Sequence, residues 1–199
     1  MKKLNTKKLV ATALMIAIII LLDVTGIGYF NIGPLSLTLM CVPVIIGTLT
    51  LGLGPGLLLG LAFAATSIAK IPSNVFYSVL FTGFVPLMKQ VLVCLIPRLL
   101  IPVAVHYTGK VMKKCSKHHF ISDGVASAVG PLTNTVFFLS LFYLFHHIQA
   151  QQLTEEMYTL FMSTFTLATS VNAVVELIMA VLICPPIIYA VNKAFRLDK

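Results

Sequence analysis

The chain has 199 residues, of which 58% are hydrophobic and only 10% charged, with a net charge of +8. A soluble domain carries roughly a quarter charged residues, so this composition excludes a surface that faces mostly water and leaves room for about six bilayer crossings of ~20 residues each. The expected fold is all-α, six transmembrane helices in one compact bundle over residues 1–199, with no linker, low-complexity tract or apparent internal repeat.

The first helix is expected over residues 8–26, after a basic start of Lys2, Lys3, Lys7 and Lys8. No A-x-A cleavage site follows its apolar run and further apolar segments come at once, so it is read as a retained helix and not a signal peptide. Residues 26–34, with three glycines, an asparagine and a proline, read as a turn. The second helix is expected over 35–51, and the Gly52-Leu53-Gly54-Pro55-Gly56 run as a tight break. The third, over 57–69, is short enough that it should begin inside that break. Residues 70–97 are apolar but interrupted by Pro72, Pro86 and Pro97, and read as a long outer loop dipping into the membrane. The fourth helix then starts between residues 87 and 97 and runs to 111. The fifth spans 121–146 and the sixth 158–191.

Charge orients this arrangement. Lys2, Lys3, Lys7 and Lys8, then Lys110, Lys113, Lys114 and Lys117, then Lys193, Arg196 and Lys199 fall on one side of a six-span bundle, which is eleven of the fourteen Lys and Arg residues. Cytoplasmic loops are enriched in these residues, so both termini are expected in the cytoplasm of a multi-pass cell-membrane protein. The net charge follows from this topology and from contact with anionic lipid heads, and requires no nucleic acid.

Ionisable and amide side chains inside lipid are costly and face protein, water or a ligand. Arg98, between Pro97 and Pro102, is read as a fork of donors for a carboxylate or phosphate, the prolines suggesting irregular backbone that lines a cavity; snorkelling to the interface is the alternative. Asn134, flanked by Thr133 and Thr135, suits either a helix–helix hydrogen bond or a polar ligand. Asn172 and Glu176 stand four apart on one face, where the carboxylate can serve a ligand, relay protons or pair with Arg98. Asp23 closes the first helix at the outer interface. His118 and His119, His146 and His147 are adjacent pairs and His106 is alone, so no metal is expected. Cys41, Cys94, Cys115 and Cys184 form no C-x-x-C and read as packing residues. Ala13 with Ala17, and Gly56, Gly60 and Ala64, are small-residue faces for close helix packing, within the chain or against a partner. There is no Walker A loop, H-E-x-x-H or G-x-S-x-G, so no catalytic residue and no cofactor is assigned.

Several stretches together resemble the substrate-binding (S) components of energy-coupling factor (ECF) vitamin transporters. They are Ala11-Thr12-Ala13-Leu14-Met15-Ile16-Ala17, Ile32-Gly33-Pro34-Leu35-Ser36-Leu37-Thr38, Val42-Pro43-Val44-Ile45-Ile46-Gly47, Gly54-Pro55-Gly56 with Gly60, Pro97-Arg98, and Gly130-Pro131-Leu132-Thr133-Asn134-Thr135. The resemblance implies a high-affinity vitamin-binding subunit working with a transmembrane coupling (T) subunit and two cytoplasmic ATPase subunits. It moves Ala13 and Ala17 to the interface with the coupling subunit, has the loaded subunit topple in the membrane, and covers the ligand with loops one, three and five. The Pro-Arg and Thr-Asn-Thr elements look most like the pantothenate branch, with Arg98 on a carboxylate and Asn134 on amide or hydroxyl groups. Thr38, Thr135, Asn172 and Glu176 complete the candidate substrate-binding set. The chain lacks tryptophan, but thirteen phenylalanines and six tyrosines keep aromatic vitamins (folate, riboflavin, pyridoxine) open. A stand-alone secondary carrier using Glu176, or a small intramembrane enzyme acting on lipids, are readings from other classes.

Overall fold

In lipid a backbone must satisfy its own polar groups, and long apolar runs do so as helices. The computed structural model describes residues 6–26, 28–32, 35–70, 84–115, 119–146 and 155–195. Within these lie helices α1 (Thr6–Val24), α2 (Cys41–Leu51), α3 (Leu53–Ala69), α4 (Phe84–Cys115), α5 (His119–His146) and α6 (Glu155–Phe195). Three of them hold segments long and apolar enough to cross a membrane: Leu87–Cys115, His119–Phe145 and Thr169–Ala194. Helices α2 and α3 are apolar but shorter, and α1 has Lys7, Lys8 and Asp23 near its ends.

An antiparallel hairpin of β1 (Tyr29–Ile32) and β2 (Leu35–Thr38) joins α1 to α2, pairing Tyr29 with Thr38 and Ile32 with Leu35. It corrects two expectations: residues 29–32 of the expected turn form a strand, and the second helix begins at Cys41, not at residue 35. The physical reason is legible afterwards, since Leu35-Ser36-Leu37-Thr38 alternates apolar and polar with the period of a strand. The break between α2 and α3 narrows to Gly52, whose φ of +104° is a conformation that glycine adopts without steric cost. As expected, α3 begins inside the Gly-rich break.

Helix α4 starts at Phe84, so the second half of the expected outer loop is helical; residues 71–83 of that loop lie outside the described residues. The backbone stays helical through Pro97 and Pro102, which corrects the irregular segment expected around Arg98. A proline inside a helix frees the carbonyl four residues earlier, here those of Val93 and Arg98. The Val93 carbonyl accepts a hydrogen bond from Arg98 Nη1 at 3.4 Å. The Arg98 carbonyl faces Gly60 of α3, where an added Cβ would lie 2.6 Å from the oxygen. Glycine thus lets the α3 backbone come close to the freed carbonyl.

The contacts show which helix ends meet. Lys8 Nζ donates to the Leu51 carbonyl, and a Cβ on Gly109 of α4 would touch Leu49. Gly124 of α5 lies beside Pro185 of α6. One end of the bundle therefore gathers the start of α1, the α2–α3 break, the end of α4, the start of α5 and the end of α6. At the opposite end Lys70 and Asp23 form an ion pair at 2.8 Å, joining the last turns of α3 and α1. The core between them includes Ile19, Met40, Ile45, Leu59, Phe63 and Ile101, all nearly or fully buried. Large apolar side chains such as Leu14, Phe137 and Leu182 are exposed on the outside, the surface a lipid solvent accepts.

The two small-residue faces separate cleanly. Gly56 packs against α2 and α4, Gly60 packs against α4 and Ala64 is buried, so that face serves packing within the chain. On α1 the packed side is Ala11, Thr12, Met15 and Ile19, whereas Ala13 and Ala17 point outward and are exposed.

Candidate functional site

Arg98 lies near the middle of α4 and is half-buried. Helical side chains lean toward the N-terminus of their helix, and Arg98 does so, which brings Nη1 to the Val93 carbonyl. Its guanidinium lies over two rings, 5.4 Å from the centroid of Phe63 on α3 and 5.2 Å from that of Phe138 on α5. Ring faces attract a cation at such distances. The cation is thus held inside the bundle and does not snorkel outward. Its Nε is buried without a hydrogen-bond partner, and no ion pair joins Arg98 to Glu176 among the described residues.

Asn134 stands one helical turn before Phe138, on the same face of α5. Asn134 is half-buried and its Oδ1 has no partner. Neighbouring Thr133 is spent on its own helix, with Oγ1 donating to the Val129 carbonyl at 2.7 Å, the local back-bond that hydroxyls make in apolar helices.

Glu176 is buried on α6, only 5% exposed. Asn172 Nδ2, on the same face of the helix, donates to its Oε1 at 3.0 Å. The thiol of Cys41, at the first turn of α2, reaches its Oε2 at 3.9 Å. The Oδ1 of Asn172 is buried and unpartnered. Of the remaining candidates, Thr38 lies on β2, which packs on α6 near Cys41, with its backbone opposite Tyr29. Thr135 is half-buried on α5, about 100° around the helix from Asn134, and no described contact ties it to Arg98 or Glu176.

Sequence reasoning missed four residues here: Phe63, Phe138, Cys41 and Gln90. The phenylalanines carry no polar signal, and Cys41 reads as packing. Gln90 fell within residues expected to be loop; once α4 is seen to begin at Phe84, Gln90, Cys94 and Arg98 fall at four-residue spacing along one stripe.

A cation lies between two aromatic faces, and buried amide oxygens without a partner stand on α5 and α6. A family model described as "ECF transporter, substrate-specific component" matches residues 7–188, and the chain belongs to that family. It is accordingly a multi-pass cell-membrane protein and the substrate-specific part of a transporter, in a family of transport components and not of enzymes. The pantothenic acid transporter PanT of Lactococcus lactis subsp. cremoris (strain MG1363) is 26% identical to it over 208 residues, covering 98% of each chain.

Proposed function

We propose that this chain is the pantothenate-binding subunit of an ECF-type importer. The observation that carries the reading is the half-buried guanidinium of Arg98, enclosed by Phe63 and Phe138 and joined to no carboxylate of the described chain. A permanent cation in a low-dielectric setting favours an anionic partner, and a carboxylate matches its planar fork. Asn134 and Asn172 each offer an amide oxygen to N–H or O–H groups, which pantothenate carries beside its carboxylate. Thr38, Thr135 and Glu176 complete the proposed lining. Similarity to a pantothenic acid transporter along the whole chain supports the same ligand.

In this reading the six helices each cross the membrane and both termini face the cytoplasm. The end of the bundle that gathers Lys8, Lys110, Lys113 and Lys193 is the cytoplasmic one, in keeping with the enrichment of Lys and Arg in cytoplasmic loops. The outward face of Ala13 and Ala17 docks on a transmembrane coupling subunit, and two cytoplasmic ATPase subunits power release. Mass spectrometry of small molecules released from the purified chain tests the ligand. Recovery of pantothenate at near one per chain is expected. Recovery of a flavin, a pterin or a pyridoxine vitamer in its place contradicts the assignment.

A further inference from the structure

Gln90 is 1% exposed, which is unusual for an amide side chain without good partners. Its Nε2 reaches Cys94 Sγ at 3.9 Å, a weak acceptor. Its Oε1 is buried and has no partner at all. An apolar residue of the same size would fit this stripe of α4 with no unpaired atom, so packing alone does not account for the glutamine.

Its location supplies a reason. Gln90 leans along α4 toward Cys94, and Arg98 leans back along the same helix to the Val93 carbonyl. The amide and the guanidinium therefore approach residues 93 and 94 from opposite directions. Two unpaired polar atoms of opposite character, Arg98 Nε and Gln90 Oε1, lie along one buried stripe. A carboxylate supplies only acceptors. It can pair with the arginine but not with the glutamine oxygen, which needs a donor.

We propose that Gln90 is a specificity-determining residue, its Oε1 accepting a hydrogen bond from an N–H or O–H of the ligand whose carboxylate is held by Arg98. This rests on the carboxylate-site reading above. Pantothenate carries three such donors, its amide N–H and two hydroxyls. An analogue lacking the donor that meets Gln90 leaves Oε1 buried and unpaired, and a site built to pair with a donor rejects such an analogue strongly.

The test is calorimetry on the full chain in detergent, comparing the unaltered protein with Gln90→Met and Gln90→Glu. The ligands are pantothenate, its two monodeoxy analogues and the ester in place of the amide. The unaltered protein should bind one of the three analogues roughly ten- to a hundredfold more weakly than pantothenate. Gln90→Met should lose a similar factor for pantothenate and no longer discriminate against that analogue. Gln90→Glu, which keeps an acceptor oxygen, should retain the discrimination at lower overall affinity. The thermal midpoint of ligand-free Gln90→Met should equal or exceed that of the unaltered protein, because an unpaired buried atom has been removed. Full discrimination in Gln90→Met, equal weakening of all four ligands, or a lowered midpoint overturns the assignment. Failure of the unaltered protein to bind pantothenate overturns the carboxylate-site reading, and this assignment with it.

Discussion

A guanidinium keeps its charge at any accessible pH, so stacking between Phe63 and Phe138 fixes a permanent cation inside the bundle at Arg98. Removing it should weaken pantothenate binding by about 2–5 kcal/mol, the range for losing one partner of a buried charged pair. Arg98→Lys should recover only part of this, since an ammonium stacks less well and cannot make the planar two-point contact. Asn134→Ala should cost less, about 1–3 kcal/mol. Titration of the purified variants reads all three, and unchanged affinity in Arg98→Ala with the fold intact would refute the anion site. The candidacy of Arg98, Asn134, Asn172 and Glu176 was legible in the sequence, because ionisable and amide groups stand out in an apolar chain. Their surroundings were not. Which rings enclose the arginine depends on how α3, α4 and α5 pack, and one phenylalanine among thirteen gives no local signal.

Helices α1 and α3 show how small residues serve different ends. Gly60 lies against the Arg98 carbonyl, so Gly60→Ala should push α3 from α4 and shift Phe63, one turn further on. It should lower the thermal midpoint and weaken ligand binding together. Ala13 and Ala17 are exposed, so replacing both with Trp should leave the isolated chain folded and able to bind pantothenate. Co-purification of a coupling subunit and uptake by cells should be lost. Persistence of the assembly would show that this face is not the docking surface. Spacing alone placed both patterns on helices, but a small-residue face reads the same whether its neighbour is the same chain or another. The helix boundaries divide similarly. Hydropathy located α1, α3, α5 and α6 to within a few residues. It misread residues 35–38, where four residues of alternation are too few to outweigh a long apolar run. It also misread the start of α4, where prolines suggested a loop that the helix absorbs through Arg98 and Gly60.

The end of the bundle that gathers the start of α1, the end of α4 and the end of α6 also holds Lys8, Lys110, Lys113 and Lys193, which is the charge pattern of a cytoplasmic face. Reporter fusions at Lys114 and at Glu155 should therefore report opposite sides of the membrane, and the same side for both would overturn the six-span arrangement. In the reading proposed here the chain alone holds its ligand at Arg98, and partners are needed only to move it. Calorimetric titration of the purified chain alone with pantothenate tests that claim most directly. Saturable binding of one pantothenate per chain, abolished or strongly weakened by Arg98→Ala, is the predicted result. No heat of binding to the folded chain, or binding that is indifferent to Arg98, would contradict it.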